Sequence, residues 1–154
     1  MAYRQIVTEE DPILRKKSRQ VEKFDQRLAS LIDDMKETLK RAGGVGLAAV
    51  QVGVLKRVIV VDCGDGEIEL VNPEIISEEG EQKEQEGCLS LPGEWGVTVR
   101  PAIVKIRGQD RNGKWHIYKA DGLKARCFCH ETDHLDGRLF VDRLAQGETI
   151  HRTE

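Results

Sequence analysis

The first strong pattern along the chain is a helical spacing of apolar residues in its N-terminal third. Apolar side chains recur there every three or four positions, which places them on one face of an α-helix: Phe24, Leu28, Leu31, Ile32, Met35 and Leu39. Gly43-Gly44 follows this run, and glycine commonly ends a helix. The pattern predicts a long amphipathic helix, preceded by an extended, charged segment at residues 11–20.

The next part of the chain shows short apolar, β-branched runs, which are typical of buried strands. Residues 58–61 form one run, and residues 68–71 form a second after a Gly-Asp-Gly turn. Asn72-Pro73 then predicts a strand break, because proline cannot donate a hydrogen bond within a sheet. The polar, Glu-rich residues 78–86 predict a surface loop.

Further apolar positions between residues 97 and 106 predict one or two more strands, with an interruption at Pro101. Asn112-Gly113 is a typical hairpin turn, and it leads into a third apolar stretch at residues 115–118. The central part of the chain is therefore expected to form antiparallel strands.

A second helix is predicted from about Asp121 to Gly137. One stripe of this helix carries its most informative side chains: Leu123, Cys127, His130, Glu131 and His134. The order of helix, strands and helix favours an α+β fold with antiparallel β-sheets. Since the chain contains no repeat or linker, we expect residues 1–154 to form a single domain, with the second helix at its centre.

Composition and charge narrow the range of functions. The chain has 154 residues, of which 39% are hydrophobic and 33% charged, as in an ordinary globular protein. A formal charge of −3 gives no electrostatic reason to bind nucleic acid or an anionic membrane. No apolar run approaches the roughly 20 residues that span a bilayer, and no signal sequence opens the chain. We therefore expect a cytoplasmic protein without membrane or direct nucleic-acid partners.

The four cysteines, with no secretion signal, are expected to be reduced thiols or metal ligands rather than disulfides. Cys127 shares the stripe of the two histidines, so it is a candidate for a small pocket or core position. Cys129 points the opposite way and is expected to be packed in the interior.

His130 and His134 are four residues apart and stand one above the other on a helix. Two imidazoles so placed can bind a divalent metal, and Glu131 lies beside them as a base for a water that this metal activates. The alternative, two ordinary helix histidines, leaves unexplained a glutamate on the same partly apolar stripe. Asp133 either orients a metal ligand or is simply an exposed aspartate, and the sequence leaves both possibilities open.

A third metal ligand could come from either side of the helix. Downstream candidates have little chain with which to reach the histidines: Asp136, Asp142, Glu148, His151 and Glu154. Upstream, Cys88 follows a glycine and precedes a Pro-Gly pair, and a thiolate is a strong ligand for a transition metal. Alone, however, Cys88 would also suit a structural role.

A glycine-rich segment at residues 44–53 lacks the lysine and the spacing of phosphate-binding loops. It contains Gln51, a polar side chain in apolar surroundings. That amide is either a satisfied buried group or a hydrogen-bond donor to an oxyanion that develops during a reaction.

Three segments together resemble the signature motifs of the peptide deformylases, in the order of that family. They are Gly44-Val45-Gly46-Leu47-Ala48-Ala49-Val50-Gln51, Glu86-Gly87-Cys88-Leu89-Ser90 and His130-Glu131-Thr132-Asp133-His134. The resemblance runs from about residue 5 to residue 144. It implies a hydrolase that removes the N-formyl group from the initiator N-formylmethionine of nascent polypeptides and releases formate.

The resemblance also implies roles for individual residues. Cys88, His130 and His134 would bind one divalent metal ion per chain, and Glu131 would be the general acid and base. Gln51 and the backbone N–H of Leu89 would stabilise the oxyanion. Gly46 would pair with the substrate backbone, and a pocket for the methionine side chain would be lined by Val45, Leu123 and Cys127.

The metal implied is Fe²⁺, with Zn²⁺, Ni²⁺ or Co²⁺ as substitutes, and the partners are N-formylmethionyl nascent peptides met transiently at the ribosome. Two other functions use the same helix. A zinc endopeptidase would need a cleft that is open on both sides of the scissile bond. A non-catalytic homologue would hold the metal as a structural clasp or bind nascent chains, and it would need neither Glu131 nor Gln51.

Overall fold

Two antiparallel sheets and two α-helices make up the fold of residues 2–153, the part of the chain that the structure, a computed structural model, describes. The helices are α1 (Gln26–Ala42) and α2 (Gly122–Leu135). The strands are β1 (Gly46–Ala48), β2 (Val58–Asp62), β3 (Glu67–Glu79), β4 (Gln82–Cys88), β5 (Leu91–Arg100), β6 (Ile103–Gln109), β7 (Trp115–Asp121) and β8 (His151–Arg152). The predicted α+β class with antiparallel sheets is confirmed.

The larger sheet has the order β1-β2-β3-β6-β7, and the smaller one has the order β4-β5-β8. All of these pairings are antiparallel. Strand β1 is at the edge of its sheet, because its only partner among the described strands is β2, with Gly46 opposite Val61. This edge position leaves one side of β1 available to another chain.

Helix α1 covers one face of the larger sheet. The Asp25 side chain accepts a hydrogen bond from the Leu28 N–H at 3.1 Å and so caps its N-terminus. Gly43 ends the helix in the left-handed conformation, with φ of 70°. The apolar face of the helix packs against Val58 and Val60 of β2.

Helix α2 packs against the opposite face of the same sheet. Successive side chains of a strand point to opposite faces, so Ile59 and Val61 of β2 enter this second core, which contains Phe128 and Leu135 of α2. Alternation along one short strand thus anchors both helices. The face of α2 that bears the two histidines is held next to strand β1.

The predicted strand break at Asn72-Pro73 is wrong, because β3 runs through both residues. The chain accommodates them with an irregularity: Asn72 has φ of 54°, and the pairing with β6 shifts register between Val71 and Glu74. The Asn72 side chain accepts a hydrogen bond from the Val21 N–H at 2.8 Å and donates one to the Val21 carbonyl at 3.0 Å. Side-chain hydrogen bonds therefore hold a bulge where the sequence suggested an end.

The predicted surface loop at residues 78–86 is also wrong. Strand β3 continues to Glu79 and β4 begins at Gln82, with Gly80 between them at φ of 66°. The end of β3 and most of β4 are exposed to solvent, so their side chains are polar. Their backbones nevertheless pair, that of β3 with β6 and that of β4 with β5. The extended segment at residues 11–20 likewise contains a short 3-10 turn at Pro12–Arg15, where Asp11 accepts from the Ile13 N–H at 3.0 Å.

Neither of the helices described within residues 2–153 combines the length and the apolar composition needed to cross a bilayer.

Candidate metal centre

Three metal-ligating atoms converge between α2 and the end of β4. His130 and His134 are both buried on α2, and their Nε2 atoms are 3.2 Å apart. The Cys88 Sγ, on the last residue of β4, lies 3.3 Å from the His134 Nε2. A shift in register between Gly87 and Cys88 accompanies this approach of the thiol to the helix. All three donor atoms lie within 4.8 Å of one another.

The spacing of these atoms fits one ion. In a tetrahedral site, two ligand nitrogens about 2.0 Å from a metal lie about 3.3 Å from each other, and a sulfur about 2.3 Å from it lies about 3.5 Å from either nitrogen. The observed separations, 3.2 Å between the two Nε2 atoms and 3.3 Å between the Cys88 Sγ and the His134 Nε2, are within a few tenths of an ångström of these values. A soft sulfur with two imidazole nitrogens suits a divalent transition metal rather than calcium or magnesium. Three protein ligands also leave a fourth position for water or substrate, as in catalytic sites.

Glu131 lies beside this cluster and is 4% exposed. Its Oε1 is buried and has no hydrogen-bond partner among the described residues. Burial raises the pKa of this carboxyl to about 7, against the opposing effect of His130. A Cβ at Gly46 would lie 2.5 Å from the Glu131 Oε2, so any side chain at this position of β1 would have to displace the carboxylate.

Gln51 is held on a short 3-10 turn (Ala49–Val52) directly after β1. Its Oε1 accepts a hydrogen bond from the Ala48 N–H at 3.0 Å, which turns its amide nitrogen the other way. That nitrogen lies 3.1 Å from the Ser90 Oγ and 3.5 Å from the Cys88 Sγ. The buried amide thus presents an N–H donor next to the proposed ligands.

A buried ionic network supports His130. The Glu86 Oε2 lies 2.6 Å from the His130 Nδ1 and accepts a second bond from the Arg100 Nη2 at 2.6 Å. Burial would raise the pKa of the Glu86 carboxyl, but hydrogen bonds from His130 and Arg100 outweigh it and hold that pKa well below its usual range. A proton on the His130 Nδ1 donated to Glu86 would leave its Nε2, on the side of His134, as the metal-binding nitrogen.

The same network decides between the two interpretations of Asp133. Its carboxylate accepts hydrogen bonds from the Arg100 Nη1 at 2.6 Å and from the Arg143 Nε at 3.0 Å. Asp133 is therefore no free surface aspartate, because it orients Arg100, which in turn contacts Glu86. No role was predicted for Glu86 or Arg100, because Glu86 ends the segment predicted as a surface loop and charged residues are ordinarily exposed.

A cavity of about 480 Å³ adjoins the cluster and is lined by most of the site residues that were predicted from the sequence. These are Val45, Gly46, Gln51, Cys88, Leu89, Leu123, Cys127, His130 and Glu131. His134 lies behind them and is fully buried. One lining residue that the sequence did not single out is Arg126, a buried side chain whose Nη1 donates to the Gln85 carbonyl at 2.6 Å.

The downstream alternatives for the third ligand do not join the cluster within residues 2–153. Asp136 is paired with Arg57, Asp142 with Arg15, and the His151 ring is stacked on Trp95. Glu154 lies outside the described residues.

Comparisons with known proteins agree with this geometry. The sequence model of the polypeptide deformylase family matches residues 3–149. The chain is 60% identical over 144 residues to a peptide deformylase of Caldicellulosiruptor bescii, covering 94% of this chain and 87% of that protein. It is 59% identical over 144 residues to one of Alkaliphilus metalliredigens, covering 94% and 98%.

A solved structure extends the similarity to the fold. The crystal structure of peptide deformylase from Thermotoga maritima superposes with a TM-score of 0.90 at 40% identity and covers 94% of this chain and 99% of that one. The family match spans nearly the whole chain and both relatives exceed half identity over most of their length, so the chain belongs to the polypeptide deformylase family.

Proposed function

We propose that Cys88, His130 and His134 hold the divalent metal with which this chain carries out its deformylase reaction. As a member of its family the chain is a metal-dependent hydrolase that removes the N-formyl group from N-formylmethionine at the start of nascent polypeptides. The observation that carries the assignment is the convergence of three donor atoms beside an unpartnered carboxylate oxygen of Glu131, at the wall of a cavity.

The metal would supply Lewis acidity, which polarises a carbonyl oxygen and lowers the pKa of water. We propose Fe²⁺ as the native ion, as the resemblance to the peptide deformylases implies. Zn²⁺, Ni²⁺ or Co²⁺ would be substitutes, because one thiolate and two imidazoles can bind each of these ions.

Glu131 is the proposed general acid and base. Its buried position raises its pKa to about 7, which suits a group that must both take up and release a proton near neutral pH. It would accept a proton from the water that attacks the formyl carbon and then deliver that proton to the amine that leaves. Formate and a free methionine N-terminus are the products.

Negative charge develops on the formyl oxygen during this attack. Gln51 and the backbone N–H of Leu89 are the proposed donors that stabilise it. The bond from the Ala48 N–H fixes the Gln51 amide in place before the reaction, so little reorganisation is needed when the charge appears. Leu89 lines the same cavity one residue after Cys88.

The free edge of β1 is the proposed docking site for the peptide backbone. An extended peptide can add to such an edge through main-chain hydrogen bonds, and Gly46 brings this edge next to Glu131. Val45, Leu123 and Cys127 would then line the pocket for the methionine side chain. Val45 and Leu123 are 40% and 51% exposed, as expected of apolar side chains that a bound substrate would cover.

Residues 1–154 are proposed to act as one catalytic domain. Its partners would be N-formylmethionyl nascent peptides, met transiently as they leave the ribosome in the cytoplasm. No direct contact with nucleic acid is part of this proposal.

The proposal is tested by formate release from formyl-Met-Ala-Ser after anaerobic purification. We expect turnover by the metal-loaded protein, loss of metal and activity in Cys88→Ser, and retention of both in the control Cys129→Ala, since Cys129 lies outside the cavity. Cleavage of an internally blocked peptide instead would favour the endopeptidase. Full metal content without formate release would favour the non-catalytic clasp.

A further inference from the structure

Two of the four cysteines form a close pair outside the proposed metal centre. The Sγ atoms of Cys63 and Cys127 are 3.9 Å apart, and both residues are free thiols. Cys88 is one of the proposed metal ligands, and Cys129 is buried without a thiol partner among the described residues. Neither Cys63 nor Cys127 has a role in the hydrolysis derived above beyond the contribution of Cys127 to the pocket wall.

This pair links helix α2 to the end of the strand that is paired with β1. Cys63 directly follows β2, which pairs with the substrate-docking strand β1. Cys127 lies on α2, three residues before His130, and lines the cavity, whereas Cys63 does not. Cys127 therefore both lines the cavity and lies next to the Cys63 thiol.

We propose that Cys63 and Cys127 are a thiol-modification site that closes to an intramolecular disulfide on exposure to a low-molecular-weight disulfide or another two-electron thiol oxidant. Cys63 is half-buried and Cys127 is buried, so the reagent enters at Cys63. The Cys63 sulfur attacks one sulfur of the reagent, and one small thiol leaves. The Cys127 sulfur then displaces the second small thiol. Two protein S–H bonds become one S–S bond, and the reagent takes up both electrons and both protons.

Closing the bond changes the pocket in a defined direction. Bonded sulfurs are about 2.05 Å apart, so the two atoms must approach by about 1.9 Å from their separation of 3.9 Å. Because Cys63 lies outside the cavity, this movement draws the Cys127 sulfur away from the pocket. The methionine side chain then loses part of its contact with the wall. The metal ligands and Glu131 are not part of the bond.

The expected functional effect follows from the lost contact. Contacts worth about one methylene in an apolar pocket change kcat/KM by about 10–200-fold, so partial withdrawal of one sulfur should lower kcat/KM about tenfold, mainly through KM. This effect rests on the proposed function, since it assumes that Cys127 lines the methionine pocket. Formation of the disulfide does not rest on it and is measured separately by mass.

The test treats the zinc-loaded full chain with oxidised glutathione and with diamide, while the metal occupies Cys88. Intact mass should fall by two hydrogen atoms, and a proteolytic map should link the peptides of Cys63 and Cys127. Cys63→Ser should show neither change while keeping the basal activity, and Cys129→Ala should behave as the wild type. Reduction should restore both mass and KM.

Two results would overturn the proposal. A map that links Cys88 or Cys129 in place of this pair, or no link with the zinc retained, refutes the modification site itself. A quantitative Cys63–Cys127 link that leaves KM unchanged refutes its effect on the pocket. In that second case the formate-release assay on reduced protein still reports on the proposed function independently.

Discussion

The replacement Glu86→Gln tests whether the buried network holds the metal-binding face of α2 in place. In the wild type the Glu86 carboxylate accepts hydrogen bonds from the Thr98 hydroxyl at 2.7 Å, from Arg100 and from His130. The amide is nearly the same shape but has no charge and only one acceptor oxygen. Arg100, whose side chain is 3% exposed, would keep Asp133 as its one remaining close counter-charge.

The magnitude follows from this burial. Removing one partner from a buried ion pair typically costs about 3–5 kcal/mol, and the remaining bond to Asp133 places this variant near the lower end. We therefore expect a loss of about 3 kcal/mol in the free energy of unfolding. Because hydrogen bonds that orient a ligand histidine typically change metal affinity by about 10–100-fold, we also expect weaker metal binding by that factor.

The assay is urea unfolding of the metal-free protein at pH 7, together with metal affinity by competition with a chelator. Glu84→Gln is the matched control, since Glu84 is an exposed residue of the same strand, and it should stay within about 0.5 kcal/mol of the wild type. A Glu86→Gln protein within about 1 kcal/mol of the wild type, with unchanged metal affinity, would refute the reasoning.

The stability difference between the wild type and Glu86→Gln should depend on pH in a defined direction. The folded-state pKa of Glu86 lies below its ordinary value, so the carboxylate stabilises the fold above an unfolded pKa of about 4.3. That contribution is lost as the pH falls below this value. The difference in the free energy of unfolding between the wild type and Glu86→Gln should therefore stay constant from pH 7 to about 5 and shrink as the pH is lowered further towards 3.

Three further substitutions test individual roles. Glu131→Gln should keep its metal but lose about 10²–10⁴-fold in kcat. The metal-free variant should also be more stable than the metal-free wild type at pH 8, by about 1–3 kcal/mol in the free energy of unfolding. The reason is that the folded pKa of about 7 makes the buried carboxylate of the wild type unfavourable at higher pH. Normal turnover by this variant would exclude Glu131 as the base. Gln51→Met should lower kcat by about 10²–10³-fold with little change in KM, and a change confined to KM would contradict the oxyanion role. Gly46→Ala should abolish formate release while retaining metal, since its Cβ would collide with Glu131; a fully active variant would refute that close approach.

The sequence predicted those features that repeat with a regular period. Helix α1 follows from its apolar spacing, because burial of one face imposes that spacing whatever the details of the contacts, and the α+β class follows from the order of helix, strands and helix. The candidate metal residues could be chosen in the same way, since His130, Glu131 and His134 share a helix face. Identifying Cys88 as the third ligand required the resemblance to the peptide deformylases. The sequence around a cysteine does not by itself distinguish a core thiol from a metal ligand.

Features that depend on partners distant in sequence were not predictable. Val97 and Val99 are apolar, yet Thr98 and Arg100 are the buried residues in this part of β5. The reason is that both donate hydrogen bonds to the buried Glu86 carboxylate on the neighbouring strand β4. The second half of β3 and strand β4 were missed for a related reason. They are held by backbone pairing with β6 and with β5 rather than by a buried apolar face, so no apolar alternation marks them.

X-ray absorption at the metal edge of the zinc-loaded protein tests the central claim most directly. We predict one sulfur at about 2.3 Å and two nitrogens at about 2.0–2.1 Å in the wild type, and no sulfur around any zinc that Cys88→Ser still binds. A wild-type spectrum without sulfur, or a sulfur that persists in Cys88→Ser, would contradict the assignment of Cys88, His130 and His134 as the metal ligands.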